Sequence, residues 1–434
     1  MKSTDVREDR LRRAFAMFAL VFAGEAIFAL PFVLARVFRP TLLELFGLTN
    51  LELGMAFAVY GVVAMLAYFP GGPLADRFAP RNMMCLALVA TGVGGLAMAS
   101  IPPVGVLRVL YGYWGATTIL LFWAPLIRAT RHWADGQSPG TAFGLLDGGR
   151  GLVAAGIGTI AVVLYASLLP DPPEIATPEL RTEALRRVIV VFTLTTLGTG
   201  LLVWFALPAS QADRGEARQP FRIAQLVHVL VMPTVWLQAV IVVCAYVGYK
   251  ALDDVSLYAN EVLRLDEVRS AQVSAVTLWV RPISAVIAGW IADRWGVARM
   301  TILSFAVLAM SAAVMATGLL RPGMVTPFFV MLLTTSAAVF ALRGLYFAIM
   351  DEGRVPFALT GTAVGLVSVL GYTPDVFMGP LMGVLLDATP GATGHRHVFG
   401  VITGFACVGL LASLVFPRVA RGRPPVFRSR GRIT

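Results

Sequence analysis

The chain has 434 residues, 57% of them hydrophobic and 14% charged, with a mean hydropathy of +0.77; soluble domains carry roughly a quarter charged residues. Apolar runs of about 20 residues, enough to cross a bilayer, recur from near Ala14 to near Val419. Soluble enzymes, disordered chains and fibrous repeats are therefore excluded. The net charge of +10 would suit nucleic acid or an anionic surface, so the placement of the basic residues decides what it means.

The N-terminus MKSTDVREDRLRR leads straight into an apolar span without a small-residue cleavage site, which predicts an uncleaved first helix. Hydropathy and turn signals predict spans over 14–37, 50–71, 83–101, 104–127, 141–168 and 187–207, then 234–259, 269–290, 299–320, 326–349, 359–386 and 397–419. The expected fold is an all-α membrane protein: a six-helix bundle over 1–207, a cytoplasmic central loop over 208–232, and a second bundle with a basic tail over 233–434. An even number of spans puts both termini on one side. With that side inside, the inner segments hold twenty-one Lys and Arg and the outer segments nine, the other five lying within spans. This bias predicts cytoplasmic termini in a bacterial inner membrane and accounts for most of the basic excess, with no role for nucleic acid. The tail RGRPPVFRSRGRIT reads as a topology anchor touching anionic lipid.

Cys85, Cys244 and Cys407 lie in apolar stretches without paired spacing, so neither a disulfide framework nor a thiolate metal site is expected. His395 and His397 form a short outer-loop pair lacking further ligands, and GGRG and GVGG lie inside apolar helices where close packing explains them. No cofactor or metal is predicted. The stretch Phe221 to Leu230 reads as an amphipathic hinge between the halves.

The chain repeats itself. GGPLADRF at Gly71 to Phe78 recurs as AGWIADRW at Ala288 to Trp295, so Gly72, Ala75, Asp76 and Arg77 stand 217 residues before Gly289, Ala292, Asp293 and Arg294; the same offset maps Pro139 onto Pro356 and Gly144 onto Gly361. Two landmarks in one register indicate duplication, hence two pseudo-symmetric bundles with a substrate path between them.

GGPLADRFAPR between spans 2 and 3 resembles the loop signature of the major facilitator superfamily, with Ala79 where the signature has Gly and with Gly296 keeping it in the second copy. Arg108 to Gly112 is similar to the family's R-x-x-x-G element. FWAPLIRATRHW, AFGLLDGGRG, RGLYFAIMDEG and TGTAVGLVSVLGYTPD resemble a bacterial branch that includes a permease encoded among sulfoquinovose-breakdown genes. LARVFRPTLLE and LDDVSLYANEV are more distantly similar to organophosphate/phosphate exchangers, whose substrate arginines lie in those spans; Arg36 fits one, and Lys250 stands about two positions from the other. The resemblance implies a monomeric transporter, and it implies that Asp76 meets span 11 and Asp293 meets span 5, with Arg77 and Arg294 in the same gating loops.

Charges inside spans are costly, at least ~2.5 kcal/mol each at the bilayer centre, and are expected to face protein or a wet cavity. Glu25 and Arg36 are 11 residues apart, within roughly 20° on one helix face. Glu25 is a candidate proton-coupling carboxylate or a structural hydrogen-bond partner. Lys250 is placed to pair with Asp253 or Asp254 at i+3 or i+4. The repeat offset sets Arg36 against Asp253, predicting a salt bridge that closes the outer gate unless both only line the vestibule. Asp147 and Arg150, one turn apart, are an inner-gate candidate, with a substrate contact for Arg150 as the alternative. Arg108, Arg281 and Arg343 would give the cavity basic character suited to a carboxylate, phosphate or sulfonate. Around Gly371-Tyr372-Thr373-Pro374-Asp375 a kink should aim Asp375, a second proton-coupling candidate, inward, with Tyr372 lining the site. The expected function is proton-coupled transport of a small organic anion. Exchange or facilitated diffusion is the alternative, and a receptor or lipid-handling protein without solute flux is the alternative of another class; no enzyme constellation is present.

Overall fold

A computed structural model describes residues 2–134, 139–209, 227, 229–320, 324–353, 355 and 360–421. Among the described residues twelve helices are long and apolar enough to cross a membrane: α1 Arg10–Val37, α2 Asn50–Arg77, α3 Pro80–Ala99, α4 Val104–Trp133, α5 Ala142–Ser167, α6 Pro178–Ala206, α7 Pro233–Glu261, α8 Glu267–Trp295, α9 Val297–Ala316, α10 Thr326–Leu345, α11 Ala363–Ala388 and α12 Ala392–Arg421. Each expected span has its helix. The basic tail beyond Arg421 and most of the Phe221 to Leu230 stretch lie outside the described residues.

The two halves are built alike. In the first, α1 packs on α5 and α6, α2 on α4, and α3 on α6; in the second, α7 packs on α11 and α12, α8 on α10, and α9 on α12. Leu66, Phe69, Val109, Phe205, Val286 and Met310 are exposed. Such an apolar exterior suits helices that satisfy their own backbone groups and face lipid.

The halves meet mainly where α2 crosses α11 and α5 crosses α8. Glycine sets both crossings. A Cβ at Gly61 would stand 2.7 Å from the Asp375 carbonyl oxygen, where backbone would have to move, and one at Gly158 would stand 2.6 Å from Leu278 Cδ1, where the side chain would have to turn; glycine permits both approaches. The short helix Arg39–Phe46 closes the end of the molecule opposite the termini.

Four local breaks interrupt the spanning helices among the described residues, and proline explains three of them. In α1 the backbone widens to a π-turn over Ala29–Val33, around Pro31. In α4 a π-helical stretch, Ala116–Trp123, precedes Pro125. In α11 the helix ends at Gly371 and restarts at Pro374. A proline removes one intrahelical donor and crowds the preceding turn, so the chain rewinds locally. The fourth break tightens α7 over Leu252–Asp254.

Candidate functional site

The first three breaks deliver side chains to a central cavity of about 120 Å³ between the halves. Phe32 and Val33 come from the α1 turn, Ile119 and Trp123 from the α4 stretch, and Tyr372 and Asp375 from either side of the α11 break. Tyr60, Tyr68, Tyr246 and Tyr249 complete an aromatic wall. Five cations line the cavity, Arg36, Arg150, Lys250, Arg281 and Arg343, with two acids, Glu25 and Asp375.

Four of these cations are paired. Arg36 reaches across the halves to Asp253, with Nη2 2.6 Å and Nε 2.7 Å from Oδ1. Lys250 Nζ lies 2.7 Å from the other oxygen of Asp253 and 3.6 Å from Asp375 Oδ1. Glu25 Oε2 sits between Arg150 Nε at 3.4 Å and Arg281 Nη1 at 3.3 Å. Asp147 Oδ1 bridges the same two arginines, 3.7 Å from Arg150 Nη1 and 3.2 Å from Arg281 Nη2. Arg281 belongs to α8 and its partners to α1 and α5, so this cluster also spans the halves.

Arg343 differs. Its guanidinium carbon lies 3.9 Å from the Tyr249 ring centre and 5.8 Å from that of Tyr246, and no carboxylate lies within 4 Å of it among the described residues. Five cations against Glu25, Asp147, Asp253 and Asp375 leave one positive charge over, and geometry puts it on Arg343. Tyr249 also carries Arg36, at 4.5 Å. Tyr246 donates its hydroxyl to Asp375, 3.0 Å from Oδ2.

Several expected residues lie elsewhere. Arg108 does not join the cavity: it is half-buried in the second turn of α4, on the same side as Gly112, which faces Val59 of α2. Asp254 turns away from Lys250 and accepts from His395 Nδ1 at 2.7 Å. His395 is not in a loop but fully buried in the first turns of α12, with Nε2 3.2 Å from Glu261. The loop-signature residues Asp76, Arg77, Asp293 and Arg294 are exposed at the end that carries the termini. Arg294 stacks on Trp290 of its own helix at 3.7 Å. The loops leading into spans 5 and 11, and the first side chains of those spans, where the expected partners of Asp293 and Asp76 lie, fall outside the described residues.

The far end is closed by contacts that sequence reasoning missed. The Arg36 carbonyl, left without an intrahelical partner near the end of α1, accepts from Ser256 Oγ at 2.9 Å and Ser274 Oγ at 3.0 Å. Arg39 donates to Asn50 Oδ1 at 2.9 Å and to the Asp253 carbonyl at 3.4 Å. Asp387 of α11 accepts from the first two amides of α2, Asn50 at 3.0 Å and Leu51 at 2.8 Å, where the helix dipole favours a carboxylate. Glu267 of α8 is held by three elements of the first half, through two hydrogen bonds and one ion pair. The repeat offset would have located part of the aromatic wall, since it maps Phe32 onto Tyr249 and Trp123 onto Phe340. No comparable signal marks Glu267 or Asp387.

Similarity to other proteins agrees with this architecture. The chain is 26% identical over 419 residues to the inner membrane protein YqcE of Escherichia coli (strain K12), covering 95% of this chain and 96% of that one. It is 24% identical to the inner membrane protein YihN of the same organism, over 93% and 95% of the two chains. A bacterial homologue of the human lysosomal transporter Spinster, solved inward-facing and unoccupied, superposes with a TM-score of 0.72 at 14% identity, covering 95% of this chain and 98% of that one. The family model described as Major Facilitator Superfamily matches residues 14–371. Twelve apolar helices in two like bundles around a charged cavity, together with that match, place the chain in the Major Facilitator Superfamily, as a membrane transporter of small molecules and not an enzyme.

Proposed function

We propose that the protein transports a small organic anion by alternating access, with the anionic group seated on Arg343 and the body of the substrate against Tyr246, Tyr249 and Tyr372. One observation carries the reading: Arg343 is the cavity cation without a carboxylate partner among the described residues. A half-buried guanidinium over an aromatic face retains its donors for a planar oxyanion, which it can grip in a bidentate manner. Sugar acids, sulfonates, phosphate esters and carboxylates share that chemistry. Lys250 and Arg281 flank the site but already hold acids, so they set its potential. Membership of a transporter family favours flux over a receptor or lipid-handling role.

Coupling to protons is the second part of the proposal. Asp375 stands at the α11 break between Lys250 and Tyr246, and Glu25 stands between Arg150 and Arg281. Neutralising either acid would leave two cations sharing one carboxylate, Arg36 and Lys250 on Asp253 or Arg150 and Arg281 on Asp147, and the positive charge so added to the cavity links proton binding to anion binding. The surplus positive charge also suits anion exchange without protons, and this is the competing reading. The arginine bias of one side supports cytoplasmic termini, so that the closed end faces outward.

Proteoliposomes carrying the purified protein, assayed with a panel of labelled anions, test both parts. Arg343→Gln should weaken anion uptake by at least tenfold in KM, with Arg343→Lys intermediate; an unchanged KM in Arg343→Gln removes the assignment. An imposed pH gradient should drive accumulation, and Asp375→Asn or Glu25→Gln should abolish that drive. Uptake that responds only to internal anion would establish exchange.

A further inference from the structure

Glu267 is the first residue of α8, and its side chain is 9% exposed. It belongs to the second half, yet its carboxylate is held by the first. Oε2 accepts from the Tyr165 hydroxyl of α5 at 2.7 Å and from Thr41 Oγ1 of the short helix at 3.2 Å, while Oε1 lies 3.2 Å from Arg181 Nε of α6. These two donors and one ion-pair partner come from parts of the first half that are distant in sequence. None belongs to the cavity or to the Arg36 and Asp253 pair.

We propose that Glu267 is the latch of the closed end, a positioning residue that sets the balance between the two states of the transporter; this rests on the alternating-access reading above. Tyr165 is fully buried, so losing Glu267 takes from its hydroxyl the acceptor at 2.7 Å. Separation of the halves at this end must break all three contacts together, since they converge on one carboxylate. The arrangement also provides for the open state. Arg181 Nη1 lies 3.3 Å from Glu44 Oε1 in its own half, so Arg181 keeps a counter-ion when Glu267 leaves. Glu267, at the start of α8, keeps the favourable end of its own helix dipole and gains water. Neither half is left with an isolated charge, so the latch can open and reclose without stranding one. Arg181, Thr41 and Glu267 all border a wide vestibule at this end, together with Glu44, Asp266 and Asp387, and water can therefore reach the latch as it parts.

The test is a distance measurement across the closed end. Spin labels are placed at the exposed positions Glu179 and Thr393 in full-length protein whose three native cysteines are replaced by serine, reconstituted in nanodiscs. Glu267→Gln keeps the shape of the side chain and removes the charge, while Tyr165→Phe removes one donor. Each should raise the ratio of open to closed molecules on the order of tenfold, as expected for losing a hydrogen bond to a charged group. The double variant should exceed either single one by less than the product of the two, because both act on the same carboxylate. Gly61→Leu, which wedges the crossing of α2 and α11 without touching Glu267, is the reference. If it opens the closed end while Glu267→Gln and Tyr165→Phe leave the distance distribution unchanged, the latch assignment is wrong. If no variant, the wedge included, moves the labels, alternating access itself fails and the latch with it.

Discussion

Asp253 and Arg36 face each other across the halves, but their removal should not be equivalent. Arg36 touches one oxygen of Asp253 and Lys250 touches the other, and all three side chains are at most 6% exposed. Arg36→Gln leaves Asp253 with Lys250, so the remaining carboxylate still has a counter-ion within hydrogen-bond distance. Asp253→Asn takes the nearest counter-ion from two cations at once: Arg36 is left with the Tyr249 ring, and Lys250 with Asp375 at 3.6 Å and the rings of Phe32 and Phe57. Breaking a buried pair and leaving an uncompensated charge costs about 3–5 kcal/mol. Asp253→Asn should approach that figure. Arg36→Gln, which loses one charge-assisted hydrogen bond and the ion pair around it without stranding a charge, should cost about 1–3 kcal/mol. Adding Lys250→Met to Asp253→Asn removes one stranded cation and should recover part of the loss. Reversible unfolding in mixed micelles gives the order directly. The reasoning is refuted if Arg36→Gln proves the more damaging change, or if Lys250→Met and Asp253→Asn simply add. The same geometry argues against rescue by exchanging the two charges, because an arginine at position 253 would lie against Lys250.

Two further outcomes follow from backbone geometry. Gly61→Leu places a side chain where the Asp375 carbonyl now stands 2.7 Å from the ideal Cβ position. It should hold the closed end apart and cut transport severely while leaving expression near normal; full transport activity would contradict the close crossing. Gly296 has φ of +94° whereas its counterpart Ala79 has φ of −63°. Gly296→Ala should therefore destabilise by about 1–2 kcal/mol, and Ala79→Gly should change stability by less than about 1 kcal/mol. Thermal melts of the two variants decide the matter, equal shifts counting against it.

The spans were legible because hydropathy over about 20 residues is a strong signal, and the pairing of Arg36 with Asp253 was legible because duplication supplies a ruler across the chain. Helix ends were less so. The helix α6 starts at Pro178, not near 187, because ELRTEALRR is helical but too charged to register as apolar. The helix α2 runs on to Arg77 through Pro70 and Pro73, which read as a stop in sequence. Asp254 and His395 escaped for another reason: a buried acid and a histidine 141 residues apart leave no periodicity to follow. Arg108 misled because a basic residue near the end of an apolar span need not face the cavity. Glu267 and Asp387 resemble ordinary charges at helix ends, and only the folded chain shows that each serves the opposite bundle.

The ring of Tyr249 lies near two guanidinium groups, Arg36 from one half at 4.5 Å and Arg343 from its own half at 3.9 Å. Both draw on the same π-electron density, and their like charges oppose each other. An oxyanion that neutralises Arg343 would relieve that opposition and let Arg36 settle more firmly on the ring and on Asp253. Occupancy at the centre of the molecule would thereby tighten the closure above it through electrostatics alone, before any helix has moved.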